Sequence, residues 1–286
     1  MNISTTLLTL AATLGQVQDA PTKAQSDPEA GRQAGLLELY KLDASEYRIV
    51  RDADGRQSLE LRETPVYIWE NRTRSGGQYG AVFVWTCGGC PEVVGSIFSN
   101  PLESGGAGRA VLHELHSLSS EVLHPLREAS SAANAWSPRT GLARKPVPDA
   151  PRPAGATKSR TLQMRSMARD FTAHSNSPYD DQRWELRLLP QPLFRYESTR
   201  TDVIDGALFA YVTSAGTDPE IMLILEAIKN GDEQQWHYAL ARFSDFNLFV
   251  EHKGRAIWEA LRDDQNVWDH NRDHTYRLYN DRVIDD

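Results

Sequence analysis

Apolar residues recur along the chain with two different periods. Helical spacing marks Leu36 to Tyr47, where Leu36, Leu39 and Tyr40 share a face, and a second stretch in which Met164, Met167, Ala168 and Phe171 do the same. Thr161 or Ser159 is the candidate cap of that second helix. Strand-like runs follow each helix: Ser58 to Glu70, Tyr79 to Thr86, Glu92 to Ser99 and Ala110 to Ser119, then Arg183 to Glu197, Ala207 to Thr213, Glu220 to Ala227 and Trp236 to Phe243. Gly- and Pro-marked connections between them are short, which implies antiparallel neighbours, since a parallel return needs a long crossover. An added hairpin, Leu248 to Ala260, turns at Lys253-Gly254. In Ala81 to Trp85, Val82 and Val84 point one way and Phe83 and Trp85 the other, so both faces are apolar and the sheet is expected to be covered on both sides.

The same pattern is written twice. PVYIWENRTRSGGQYGAVFVWTCGGCPE (Pro65 to Glu92) matches PLFRYESTRTDVIDGALFAYVTSAGTDPE (Pro192 to Glu220), with Trp69 answering Tyr196, Glu70 answering Glu197, and Gly80-Ala81 answering Gly206-Ala207. The match weakens downstream, where HELHSLS (His113 to Ser119) faces YALARFS (Tyr238 to Ser244). This reads as an internal duplication. The expected fold class is α+β: two tandem pseudo-repeats, each a helix followed by a four-stranded antiparallel β-meander. The expected organisation is a signal peptide over 1–15, a disordered segment over 16–35, a first repeat over 36–136, a Pro-rich linker over 137–158, a second repeat over 159–262 and an acidic tail over 263–286.

Composition changes this picture little. With 40% hydrophobic and 24% charged residues in 286, the chain is of ordinary globular type, and a net charge of -8 argues against nucleic acid as the main partner. The apolar run Leu7 to Leu14 is too short to span a bilayer but has the length of a secretory signal's core, although no Lys or Arg precedes it. It places the protein in the periplasm or outside the cell, the alternative being a cytoplasmic chain with a frayed N-terminus.

Residues able to carry chemistry are present without a recognised arrangement. Cys87 and Cys90 form CGGC at a turn that leads into another strand, so the helix that activates a redox CxxC is missing, and a local disulfide or two free thiols is expected. His113 and His116 are three apart on a strand and point to opposite faces, which denies them a shared metal and suggests surface or capping roles. His270 and His274 have helical spacing within the acidic tail and read as a solvated face. No G-x-S-x-G elbow and no phosphate-cradling glycine loop occurs. No metal and no cofactor is expected. The repeated pairs Glu70/Glu197 and Glu92/Glu220 would converge as an acid/base pair if the repeats packed about a pseudo-twofold. The aromatic ladder Tyr67, Trp69, Phe83 and Trp85 reads as a stacking platform for sugars or other flat ligands, with Glu70, Glu197, Trp69, Tyr196 and Trp85 as the candidate ligand-binding residues. The competing reading has each glutamate satisfy an arginine or backbone donor in its own turn, and such an aromatic ladder is more often core.

The runs WELRLLPQPLFRYES (Trp184 to Ser198), YALARFSDF (Tyr238 to Phe246), GAVFVWT and PEVVGSIFS resemble a group of uncharacterised bacterial proteins of unknown function. The resemblance covers most of the chain after its N-terminal segment and implies no activity, ligand or catalytic residue. The functional expectation is an exported, non-catalytic binding or interaction protein, the alternative being a hydrolase-type enzyme with its site in a cleft between the repeats.

Overall fold

The computed structural model describes residues 28–51, 57–73, 77–102, 107–128, 136–178, 182–199, 202–214, 216–262 and 272–285. The expected signal segment and His270 lie outside them.

Helix α1 (Pro28–Ser45) begins inside the stretch expected to be disordered. Proline suits a first helical position because its fixed φ and missing N–H cost nothing there. Glu29 follows in the first turn, where the helix dipole favours an acid, and it pairs with Arg32 at 2.6 Å. Leu36, Tyr40 and Ala44 form the buried stripe of α1. Helix α2 (Thr157–Ala168) buries Met164, Met167 and Ala168; its N-cap is Ala156, which makes no side-chain cap bond, so neither Ser159 nor Thr161 caps it. Phe171 lies beyond α2 and opens a strand.

The remaining described elements are strands. Before α2 these are β1 (Arg48–Arg51), β2 (Gln57–Ser58), β3 (Glu60–Leu61), β4 (Tyr67–Asn71), β5 (Gln78–Cys87), β6 (Cys90–Pro101), β7 (Arg109–Ser117), β8 (Leu123–Leu126) and β9 (Lys145–Pro146). After α2 come β10 (Phe171–Asn176), β11 (Arg183–Leu188), β12 (Phe194–Tyr196), β13 (Val203–Thr213), β14 (Pro219–Asn230), β15 (Glu233–Arg242), β16 (Asn247–His252), β17 (Arg255–Ala260) and β18 (Tyr276–Ile284). All pairings are antiparallel: β18-β7-β6-β5-β3 with β4 also on β5, β17-β16-β10-β11-β13-β14-β15-β9 with β12 on β13, and a small sheet β2-β1-β8.

This corrects the expected fold class. The chain is mostly β, with 53% strand against 13% helix and only two helices among the described residues, and its large curled antiparallel sheets are not helix-plus-four-strand meanders. The missed strands explain the difference. β10 and β16, at Phe171–Asn176 and Asn247–His252, join the second sheet, and β18 runs through the stretch expected to be an acidic tail.

The layers are α1, the first large sheet, the second large sheet, and α2. Val82, Val84 and Val94 of one sheet meet Leu208, Ala210, Val212, Met222 and Ile224 of the other. Behind the first sheet, Phe83, Trp85 and Ile97 pack under Tyr40 and Ala44 of α1; behind the second, Phe209 and Leu223 pack under Met164 and Met167 of α2. Apolar residues on both faces of β5 and β13 are thus satisfied, one face by a helix and the other by the facing sheet.

Two edges are completed by exchange. β9, which follows the first half, pairs with β15, and β18, at the far end of the chain, pairs with β7 along Arg109–His116. Each half therefore finishes its sheet with a segment lying beyond the other's boundary.

Candidate functional site

The space between the two large sheets is packed core, and Glu70 and Glu197 do not meet across it. Glu70 sits opposite Tyr79 at the start of β5, and its backbone N–H and C=O both bond Thr217, each at 3.0 Å. Glu197 lies at the other end of β5. Its carbonyl stands where it would collide with a Cβ on Gly89, and Thr199 N–H donates to Gly88 O at 3.1 Å. About eight residues of strand, on the order of 27 Å, separate those ends of β5. The two glutamates clasp opposite turns.

Aromatic candidates are core. Trp69 lies over Gly80, where an added Cβ would stand 2.5 Å from the indole, and its Nε1 donates to Ser96 Oγ at 3.0 Å. Tyr196 covers Gly206 in the same way and donates to Glu226 Oε1 at 2.7 Å. Trp85 is buried beneath Tyr47 with ring centroids 5.7 Å apart. None of the three presents a ring to a ligand. Glu92 is buried and paired with Arg51 at 2.7 Å. Cys87 and Cys90 are buried thiols, not joined as a disulfide, facing each other in register across a two-residue turn, whose Gly88 and Gly89 take φ of 56° and 86°. That is a type I′ hairpin, with no helix opening at either cysteine.

His113 and His116 do point to opposite faces, but both are buried, which overturns the surface or capping reading. His116 faces the inter-sheet core beside Tyr276, with its Nδ1 2.8 Å from Ser117 O. Burial lowers its pKa to about 4. His113 faces α1. Burial also lowers its pKa, against the opposing pull of Asp43 and Asp281.

One acid that no motif singles out nucleates the most polar place in the interior. Asp43 follows Leu36 by seven residues and Tyr40 by three, on the buried stripe of α1. Around it gather Tyr47, His113 from β7, Arg127 after β8, and Tyr279, Asp281 and Arg282 from β18. Arg127 donates to Asp43 at 3.2 Å, Asp281 at 2.6 Å and Glu46 at 2.9 Å; Arg282 reaches both Asp43 oxygens at 2.9 and 3.0 Å. Tyr47 OH lies 2.7 Å from His113 Nδ1 and is also bonded to Tyr279 OH. Burial raises the pKa of both aspartates, but the neighbouring His113 and Arg282 at Asp43, and Arg127 and His113 at Asp281, outweigh it and hold both below the ordinary carboxylate value.

The second half builds the equivalent place without this cluster. Across the first sheet the register runs Ala81, Ile97, His113, Tyr279; across the second it runs Ala207, Leu225, Tyr238, Lys145. Tyr238 stands in the position of His113, and it packs on Phe171 at 5.3 Å, which in turn packs on His252 at 4.7 Å. Met167 stands four residues before Phe171, as Asp43 stands four before Tyr47, and is buried. The fold thus tolerates a largely apolar solution where the first half holds two acids and two arginines.

Acid should destabilise the protein well above the range of its carboxylates. An unfolded chain protonates His116 near the ordinary value of 6.5, whereas the folded chain keeps it neutral to about 4. Its contribution is complete above about pH 6.5 and is lost progressively as pH falls toward 4, on the order of 3 kcal/mol in all. His113 acts in the same direction, and protonation of Asp43 and Asp281 adds a further loss at still lower pH. Urea unfolding at pH 7 and pH 4.5 checks this; an unchanged midpoint, or an equal loss in His116→Gln, counts against it.

Two surface grooves border these elements. One, of about 480 Å³, lies between the first turns of α1 and the β4–β5 hairpin, with Arg32, Arg72 and Arg109 and the acids Glu29 and Glu70 along its walls. Arg109 forms its floor, held by Ser99 Oγ at 2.8 Å and Gly77 O at 2.9 Å. The other, of about 500 Å³, is lined by Ser45, Glu46, Arg48, Leu126 and Glu128 and touches the buried cluster through Glu46. Among the described residues, no helix is long and apolar enough to cross a membrane. Comparison with protein-family models, curated proteins and solved structures returns no match.

Proposed function

We propose that the protein is a non-catalytic binding or interaction protein whose ligand seat is the groove between α1 and the β4–β5 hairpin. The observation that carries this reading is the groove's wall, in which three guanidinium groups and two carboxylates meet beside the apolar flank of Leu36 and Tyr79. Arginine forks suit carboxylate and phosphate groups, and the excess of cations selects a ligand with an anionic end. Glu29 pairs with Arg32 at 2.6 Å and Glu70 with Arg72 at 3.3 Å, which positions both guanidinium groups along the wall. The duplication read from the sequence fits this reading, because it would give one half of a paired scaffold a groove of its own.

Thermal-shift measurements with succinate and with inorganic phosphate test the proposal. At least one of the two should raise the melting temperature of the wild type, and the Arg32→Ala/Arg72→Ala double variant should lose that shift. Both side chains are at the surface, so the variant should fold. Absence of any shift in the wild type, or a shift that survives in the double variant, overturns the proposal.

A further inference from the structure

We propose that Asp43, His113 and Asp281 form a divalent-cation site of the zinc or manganese class, closed by the Arg282 side chain. Four observations carry this, none of which depends on the groove described above.

The donor atoms converge. His113 Nε2 lies 3.5 Å from Asp43 Oδ2 and 3.9 Å from Asp281 Oδ2, and one ligand atom from each residue falls within 4.8 Å of the others. Those separations are long for hydrogen bonds. Donors at 2.0–2.2 Å around a tetrahedral metal stand roughly 3.3–3.6 Å apart. The His113–Asp43 pair already has that spacing, and Asp281 Oδ2 would move in by a few tenths of an ångström to share the ion.

His113 is fully buried, and its Nε2 makes no hydrogen bond while pointing between the two carboxylates. A buried polar nitrogen left in this way is costly unless something else occupies its lone pair. Its other nitrogen is already engaged by Tyr47 OH at 2.7 Å. This is the arrangement that orients a metal-binding imidazole and fixes its tautomer, with Nδ1–H donating to the tyrosine oxygen and Nε2 free to ligate.

The carboxylates are held from behind. Arg127 takes Oδ1 of both aspartates and leaves their Oδ2 atoms directed toward His113. Arg282 contacts both oxygens of Asp43 and Oδ2 of Asp281, and with its side chain 35% exposed it is the one able to withdraw into solvent and free the Oδ2 atoms. A cation entering from that side replaces the guanidinium charge. One imidazole and two carboxylates form a set that favours zinc or manganese over softer ions.

The second half, finally, has Tyr238 at the register position of His113 and a buried Met167 on the helix that covers that sheet. The donors are therefore not a requirement of the fold. No metal motif is written in the sequence because the donors come from a helix, a strand and the far end of the chain rather than from a short spaced run.

Full-length protein stripped with EDTA and titrated with cobalt(II) chloride, followed by visible absorption, tests the site in the wild type without relying on any variant. One equivalent should bind and give ligand-field bands without a sulfur-to-cobalt charge-transfer band, and zinc chloride should displace it. Calorimetric titration with zinc chloride should show binding weakened more than about tenfold in His113→Gln and in Asp43→Asn, and tightened in Arg282→Gln. The proposal is overturned by a wild type that binds neither ion saturably. A charge-transfer band, which would assign binding to Cys87 and Cys90, or unchanged binding in a folded His113→Gln variant, overturns it equally.

Discussion

A chain ending before Tyr276 is expected to lose the fold of its first half while the second retains protected structure. β18 covers β7 along nearly its whole length, and its pairings run from Tyr276 opposite His116 to Ile284 opposite Arg109. Tyr276 and Leu278 belong to the core between the sheets, and Tyr279 to the core beneath α1. Truncating one large buried side chain typically costs about 2–5 kcal/mol, and three go together here. The deletion also strips Arg127 of Asp281, leaving a guanidinium whose side chain is only 2% exposed short of a partner. Together these losses reach the whole net stability of an ordinary domain, about 5–15 kcal/mol. The second half keeps β9 on its own edge. Hydrogen exchange on a chain of residues 1–275 should show α1 and β5 to β7 exchanging freely while β13 to β15 stay protected. Equal protection in both halves would refute this account.

The strands of the two halves were legible as short apolar runs bounded by Gly- and Pro-marked turns. Ala81 to Trp85 and Ala207 to Tyr211 carry large apolar residues on both faces, and that alone implied a sheet covered on two sides. Repetition of the GA pair under an aromatic was also legible, and its reason is the close approach of Trp69 to Gly80 and of Tyr196 to Gly206. What could not be read was who pairs with whom at a distance. β18 carries Tyr276, Leu278 and Tyr279 but is embedded in Asp and Arg, so its charge balance suggested a solvated tail. Two of those charges, Asp281 and the partly exposed Arg282, are in fact the partners of Arg127 and Asp43. β9 is two residues long and gives no periodic signal. Among site residues, Glu70 was found for its recurrence and does border a groove, while Glu197 serves the opposite turn. Asp43 had a local signal, an acid on the apolar stripe of a helix, but its partners His113 and Asp281 share no sequence neighbourhood with it.

Arg127→Ala should destabilise the protein by about 3–5 kcal/mol, the usual consequence of removing one partner from a buried ionic network. Asp43 and Asp281 would remain buried with only Arg282, which is partly exposed and so better screened by solvent. Replacing the whole network should be far less harmful. A set patterned on the second half, Asp43→Met, Tyr47→Phe, His113→Tyr, Arg127→His and Asp281→Val, removes both buried acids and the arginine at once. It copies the packing of Met167, Phe171, Tyr238, His252 and Val147, all of which are buried under or beside α2. Apolar replacement of buried ion pairs is often neutral or stabilising. Urea unfolding should therefore place the fivefold variant well above Arg127→Ala and near the wild type. A cost below about 1 kcal/mol for Arg127→Ala would mean that the network is not strongly coupled. A fivefold variant no more stable than Arg127→Ala would mean that α1 needs these charges in order to pack. If the expected order holds, the first half carries a charged cluster that its fold can do without, and stability is then not the reason for its presence.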